Sequence, residues 1–397
     1  MHVITRLILG GAQENTLLTV EGLDRLGGYR TTLVTGPAIG PEGELVKRAR
    51  RHGVDLIVLP NLRRAISPWR DALAFKSLLW IFRDERPDIV HTHSSKAGIL
   101  GRLAARSAGV PVIVHSIHGP PFHAQQGPAA NWLFRRAEKL VAGDTSRFIS
   151  VADAMTDAFV QAGIAPREKF VTIYSGMEVA PFLAQDGSRA RVRAEFGIGA
   201  NEIVIGKIAR LFHLKGHEDV LRAFAEVAPR APAARLFFVG DGILRDRLSA
   251  LAASLGIAGK VTFAGLVAPE RIPEMIKAMD LLVHASLREG LARVLPQTLL
   301  SGCPVISYDV DGAREVVRDG VTGFLVPPGS VAGLREAMLR ALTNLDAARA
   351  MALKGRELFL DQFRAETMVR RIADVYEEEV ARSRVTERAA GEPQKRG

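Results

Sequence analysis

Only one cysteine, Cys303, occurs in the 397 residues. An internal disulfide framework is thereby excluded, and the count fits a reducing compartment. No run of 18 apolar residues occurs, so no membrane-spanning helix is expected. The opening residues Met1 to Arg6 lack the pattern of a secretory leader, and the expectation is a cytoplasmic protein. Aromatic residues are few, at 6%, and no nucleic-acid-binding module can be picked out, which sets nucleic acid aside as a partner. Acidic residues are outnumbered, 43 against 53 Lys and Arg, for a net charge of +10. That excess suits an anionic small molecule or an acidic membrane surface. Arg135, Arg136 and Lys139 beside Trp132, Leu133 and Phe134 read either as a peripheral membrane contact or as a solvated helix face. No short-period repeat is found.

What is present is ordinary globular material, 47% hydrophobic and 24% charged, in a chain long enough for two domains. One stretch, Leu287–Ser307, organises it. The apolar run Asp280–Ser286 ahead of it reads as a buried parallel strand. Glu289-Gly290 makes a tight turn, and Val294, Leu295, Thr298 and Leu299 fit one face of a helix. Gly302-Cys303-Pro304 closes that helix before a strand begins at Val305. The free amides at such a helix start favour a phosphate. A carboxylate is repelled by phosphate, so Glu289 has two readings: an acceptor for sugar hydroxyls, or a cap that suits the helix dipole. A diphosphate and a polyol at one helix mouth describe a nucleotide sugar.

Strands and helices alternate on either side. Strand-like runs stand at His2–Thr5, Thr31–Thr35, Val54–Leu59, Asp88–Thr92, Pro111–Ile117, Phe148–Val151 and Phe170–Tyr174, with helical runs such as Glu42–His52 between them. The pattern pauses near residue 180 and resumes with strands at Ile203–Ile208, Arg235–Val239, Val261–Phe263 and Leu281–His284. Alternation of this kind predicts an α/β fold with parallel sheets covered on both faces and ligands at the strands' carboxyl ends. Gly10-Gly11 after the first strand lets a backbone approach phosphate, or is a plain turn. His91-Thr92-His93 puts two rings on one face, a spacing that can ligate a metal. No further Cys/His cluster accompanies it, and no metal is expected there or at Asp309-Val310-Asp311. His118-Gly119 follows the next strand, where a neutral imidazole can bond a hydroxyl or simply hold a loop. Lys96 near the same strand ends is acceptor-facing or a surface residue. In the second series Arg210 and Lys215 stand in the turn after a strand. An Arg fork and a Lys point charge there would neutralise a diphosphate.

These motifs resemble family 4 retaining glycosyltransferases, or glycosyltransferase group 1, over nearly the whole chain. The resemblance rests on Arg210-x4-Lys215-Gly216, on Glu289-Gly290 with its small-Gly-x-Pro-Val closure, and on His118-Gly119. It implies the GT-B fold, two Rossmann-like domains with the donor in the cleft. The domains would be 1–179 and 180–364, with a last helix at about 365–381 returning to the first; the tail 382–397, charged, with Gly and Pro and little apolar content, reads as disordered. It implies catalytic roles for His118, Arg210, Lys215 and Glu289. Donor contacts would come from Gly10, Gly11, Gly265, Gly290, Leu291, Ala292 and Gln297, and an acceptor contact from Lys96. One position departs from the family pattern: the second glutamate is replaced by Gln297, which keeps an acceptor oxygen and adds a donor. The implied reaction is metal-independent, cofactor-free hexosyl transfer with retention. The donor would be a nucleotide diphosphate sugar, a UDP-sugar, and the acceptor a glycan or lipid-linked molecule of cell-surface polysaccharide synthesis. The enzyme would be cytoplasmic, at the inner face of the membrane. Two other readings stand beside it: a UDP-sugar 2-epimerase of the same fold, and a non-catalytic nucleotide-sugar-binding or scaffold member.

Overall fold

Valine, isoleucine and leucine recur in the strand runs, so the central strands must be covered on both faces, as in the interior of a parallel sheet. The computed structural model describes residues 1–39, 45–122 and 126–391. The chain forms two compact units, Met1–Met177 with the chain from Arg364 onward, and Glu178–Phe363.

In the first unit the strands are β1 His2–Ile4, β2 Thr32–Thr35, β3 Asp55–Val58, β4 Ile89–His93, β5 Val112–Ile117, β6 Arg147–Ser150 and β7 Phe170–Thr172. All pair in parallel, in the order β3-β2-β1-β4-β5-β6-β7. Val3, Val34, Val90 and Ile113 cover one face with Leu78, Phe82 and Ala104. On the other face Leu18 and Leu23 of helix Gly11–Leu26 meet Val112, Val114 and Ile149. Met368, Val369, Ile372 and Tyr376 of the last helix join them.

That last helix corrects one expectation. It runs Ala365–Gly391, so residues 382–391 are helical where a disordered tail was expected from charge, Gly, Pro and low apolar content. The segment is rich in Arg, Glu and Ala, which favour helix, while its Gly391 and Pro393 come only at the far end. Buried Glu379 also pairs with Arg147 at 2.6 Å and with Arg382 at 3.0 Å, which ties the added turn down. Residues 392–397 lie outside the described residues, as do residues 42–44 of the helix expected at Glu42–His52; its observed part is Val46–Arg51.

The second unit repeats the plan. Its strands are β8 Ile203–Ile208, β9 Ala234–Val239, β10 Val261–Gly265, β11 Leu281–His284, β12 Val305–Tyr308 and β13 Phe324–Val326. They are parallel in the order β10-β9-β8-β11-β12-β13. Ile205, Phe224, Leu236, Phe238, Leu281 and Val283 lie in its core. Each sheet therefore runs 3-2-1-4-5-6 from its own first strand, and the first adds a seventh strand at the end. The order reverses between β1 and β4 and again between β8 and β11, and a ligand crevice belongs at the carboxyl end of such a pair.

Candidate active site

After β8 the chain loops through Arg210 to Gly216 before helix His217–Val227. Gly216 has φ +66°, and a Cβ on it would lie 1.8 Å from the carbonyl oxygen of Ala285, so only glycine allows the loops after β8 and β11 to touch. They are tied together where the Leu287 N–H donates to the Leu214 carbonyl at 2.8 Å. This contact brings Lys215 Nζ to 2.5 Å from Glu289 Oε1. His284 Nε2, at the end of β11, stands 3.5 Å from the same oxygen. The turn itself is held by Asp311, whose carboxylate accepts from the Glu289 N–H at 2.7 Å, and by the Gly312 N–H, which donates to the Gly290 carbonyl at 3.0 Å. Burial alone would raise the Glu289 carboxyl. Contact with His284 and the Lys215 ammonium overrides it and holds the group well below the ordinary carboxylate range.

Three side chains complete this cluster. Lys207 on β8 is fully buried, and its Nζ has no hydrogen-bond partner. Burial, with Lys215 adding to it, pushes its ammonium down to about 7. His217 opens its helix buried, with both ring nitrogens lacking a hydrogen-bond partner. Burial and then Lys207 hold it neutral, well below the usual histidine range. His284 is likewise lowered by burial, against the pull of Glu289. Sequence reasoning passed over all three. The available signal was a charged residue in the middle of an apolar strand, Lys207, and a histidine directly after Lys215-Gly216.

The other expected donor residues lie as follows. Arg210 is exposed, its guanidinium 5.1 Å from the centre of the Phe212 ring. Gly265 ends β10 and its carbonyl accepts from the Gly240 N–H at 2.9 Å. Leu291 is half-buried and Ala292 buried, and the helix starts only at Val294. Gln297 sits half-buried on that helix. Gly302, at φ +71°, closes it: the Gly302 N–H donates to Leu299 and the Cys303 N–H to Thr298. Of the Asp309-Val310-Asp311 pair, Asp309 is bound by Arg314 and Asp311 holds the Glu289 turn.

In the first unit Gly10 precedes, and Gly11 opens, helix Gly11–Leu26 at the end of β1. His118 follows β5 and stacks on His93, with ring centres 5.4 Å apart. Lys96 is bound to Asp71 at 2.6 Å and to the Ala65 carbonyl. His2, His91 and His93 bring ligand nitrogens within 4.8 Å of one another, a geometry that could hold a metal. All six of their ring nitrogens, however, already have hydrogen-bond partners, and among the described residues no carboxylate or thiolate joins the group. A dication there would be buried without a countercharge.

Comparison with known proteins covers both units. Residues 188–358 match the family profile "Glycosyl transferases group 1", and residues 10–176 match the "Glycosyl transferase 4-like domain". The chain is 27% identical over 325 residues to the Escherichia coli UDP-Gal:alpha-D-GlcNAc-diphosphoundecaprenol alpha-1,3-galactosyltransferase, covering 80% of this chain and 82% of that one. It is 26% identical to the alpha-D-kanosaminyltransferase of Streptomyces kanamyceticus, covering 88% of this chain and 95% of the relative. Among solved structures, Anabaena HepE in complex with UDP and glucose superposes with a TM-score of 0.81 at 22% identity, over 94% of this chain and 98% of that one.

Proposed function

The chain belongs to the group 1 glycosyltransferases and has the GT-B fold, and from that premise we propose that it transfers a hexosyl group from a UDP-sugar, with retention at the anomeric carbon. The observation that carries the proposal is the Lys215–Glu289 contact at 2.5 Å, made by side chains 74 residues apart in the loops after β8 and β11. Lys215 and Arg210 stabilise the charge that builds on the leaving diphosphate. They supply the positive charge a metal would otherwise bring, so the transfer needs neither metal nor cofactor. Glu289, kept ionised, accepts from sugar hydroxyls. The bond between the anomeric carbon and the phosphate oxygen breaks as the acceptor oxygen bonds the same carbon on the same face. The acceptor's proton passes to the departing phosphate oxygen.

The Escherichia coli relative, by its name, uses UDP-galactose and an undecaprenol-linked acceptor. That supports a UDP-sugar donor here and a lipid-linked or glycan acceptor in surface polysaccharide synthesis. No helix among the described residues is long and apolar enough to cross a membrane. Helix Pro128–Ala142 exposes Trp132, Leu133 and Leu140 alongside Arg135 and Arg136, which supports a peripheral contact with an acidic membrane face from the cytoplasm.

Thermal stability with UDP, GDP and ADP in turn tests the donor. Ligand at about 100 times its Kd adds roughly 2.7 kcal/mol to the folded state. A rise with UDP alone is expected, and no rise with any of the three would overturn the diphosphate site. Release of UDP only when acceptor is present then separates transfer from epimerisation and from mere binding.

A further inference from the structure

The second unit holds a cavity of about 540 Å³ at the amino edge of its sheet, where Asp280 precedes β11 and Pro304 precedes β12. Every residue that lines it lies within Glu178–Phe363. Lys215 and Glu289 stand beyond the carboxyl ends of β8 and β11 instead. The length of β11, roughly 13 Å, therefore separates the two places. The proposed transfer makes no use of the amino edge.

Its walls are basic. Helix Ser188–Glu195 brings Arg189, helix Ile272–Lys277 brings Lys277, and helix Leu345–Phe359 brings Arg349 and Arg356. Against these four cations stand two carboxylates, Asp186 and Asp280, which leaves two positive charges in excess. Asp280 is shared three ways. Its Oδ1 accepts from Arg189 at 2.7 Å and from Arg349 at 3.3 Å, and its Oδ2 from buried Arg193 at 2.6 Å. Arg349 also reaches the exposed Asp346 at 3.2 Å. Asp186 accepts from the Ser188 N–H at 3.1 Å and from Lys277 at 3.1 Å.

Arg356 is different. Its Nε is buried without a hydrogen-bond partner, and among the described residues no ion pair holds its guanidinium. Burial lowers its pKa, and no carboxylate raises it back. Gly302 makes room for this side chain: a Cβ there would stand 2.6 Å from Arg356 Nη2. A half-buried cation without a partner is costly until an anion completes it. Guanidinium forks suit carboxylate and phosphate alike, but the two differ in shape and charge. A carboxylate is planar and carries one charge. A phosphate monoester is tetrahedral, has three strong acceptor oxygens and carries nearly two charges near neutral pH. Cations that arrive from three helices, with two charges in excess, fit the monoester. The volume is that of a small-molecule site, so it has room for the rest of the ester as well.

We propose that this cavity is a second anion site, apart from the donor cleft, and that it binds a phosphate monoester through Arg356, with Arg189, Arg349 and Lys277 around it. The site does not depend on the proposed function, because none of its residues belongs to the Lys215–Glu289 cluster.

The test is calorimetric titration of the full chain with glycerol 3-phosphate, in phosphate-free buffer near neutral pH. Saturable binding is expected, unchanged by saturating UDP and by Lys215→Ala. Arg356→Gln should weaken it by about tenfold or more, the usual effect of losing a charge-assisted bond. That variant removes a side chain without a partner, so its melting temperature and its response to UDP should match the parent's. Should it fail to fold, Lys277→Gln on the opposite wall puts the same question, with a loss of several-fold expected. Vesicles of phosphatidylcholine with phosphatidic acid separate the two sources of such a group. Arg356-dependent flotation with them identifies a lipid headgroup, and soluble binding without flotation identifies a free phosphate ester. No binding of either probe, displacement by UDP, or full affinity in both variants overturns the site. Equal affinity for glycerophosphocholine, whose diester phosphate carries one negative charge, overturns the choice of a monoester. A chain that binds glycerol 3-phosphate but never UDP would keep this site and lose the proposed function.

Discussion

The two units share a strand order but furnish their switch points differently. Between β1 and β4 the polar side chains are neutral, and each ring nitrogen of His2, His91 and His93 is bonded to a neighbour. Between β8 and β11 they are charged or starved of partners: Lys207 Nζ and both nitrogens of His217 have none, and Lys215 and Glu289 share one contact. An unpaired buried polar group costs roughly 1–3 kcal/mol, which a fold bears most readily where a ligand completes the pairing. Neutral rings whose nitrogens are all bonded to neighbours need no ligand. The difference fits the proposed function, in which the second unit meets the leaving anion.

The largest effect should come from breaking the charged side. Lys215→Ala and Arg210→Ala should each lower turnover by about 10²–10³-fold, the usual cost of losing one preorganised donor to a developing anion. Steady-state rates with donor and acceptor check this, and near-normal turnover in both variants would remove the contrast between the units.

Lys207→Met should stabilise the fold by roughly 1–4 kcal/mol, since it exchanges an unpaired buried ion for an apolar chain of similar length. The sign is open to a pH test. Lys207 titrates at about 7 in the folded protein against an ordinary value of 10.5. Between these values the unfolded chain holds a proton that the folded chain does not, so stability rises with pH across that window. The advantage of the methionine variant should be full below about pH 7 and fade toward 10.5. Denaturant melts at several pH values measure it, and a constant difference would mean that Lys207 is paired or not buried. Glu289→Gln runs the other way. The folded carboxyl titrates below its ordinary value of 4.5, so its contribution is full above that value and lost as pH falls through the folded pKa. The variant should be less stable by about 1–3 kcal/mol at neutral pH and indistinguishable from the parent in strong acid.

Much of this contrast was legible in sequence, and the illegible part has a physical cause. Parallel strands buried on both faces read as apolar runs, which is why Ile203–Ile208 and Leu281–His284 could be bounded without a structure. Arg210, Lys215 and Glu289 were legible because each sits in a glycine-marked turn. Lys207, His217 and His284 were not, since their approach depends on the pairing of β8 with β11 rather than on local spacing. The histidine cluster was half visible as His91-Thr92-His93. Its contact between His2 and Tyr376 joins residues 374 positions apart. Residues 382–391 misled for a different reason: charge, Gly, Pro and scarce apolar residues suggested disorder, while helix-forming residues and the Glu379 pairs made a helix.

The smallest expected change concerns Gln297, a position where the chain departs from the pattern of its family. Gln297 lies half-buried on helix Val294–Leu300, which follows the Glu289 turn. Its amide oxygen can accept from a ribose hydroxyl as a carboxylate would, and its N–H adds a donor a carboxylate lacks. Gln297→Glu would bring one more negative charge to a helix meant to lie near a diphosphate. The gain in hydroxyl bonding and the added repulsion oppose each other, so turnover should change by less than about threefold, under roughly 1 kcal/mol. Paired measurements of kcat and donor KM decide it. A gain of tenfold or more would mean that the charged unit is short of a carboxylate and that the present chain is an impaired catalyst. A change within the expected range would mean that glutamine is the working residue, and that the charge balance around Lys207, Lys215 and Glu289 is already set for the donor.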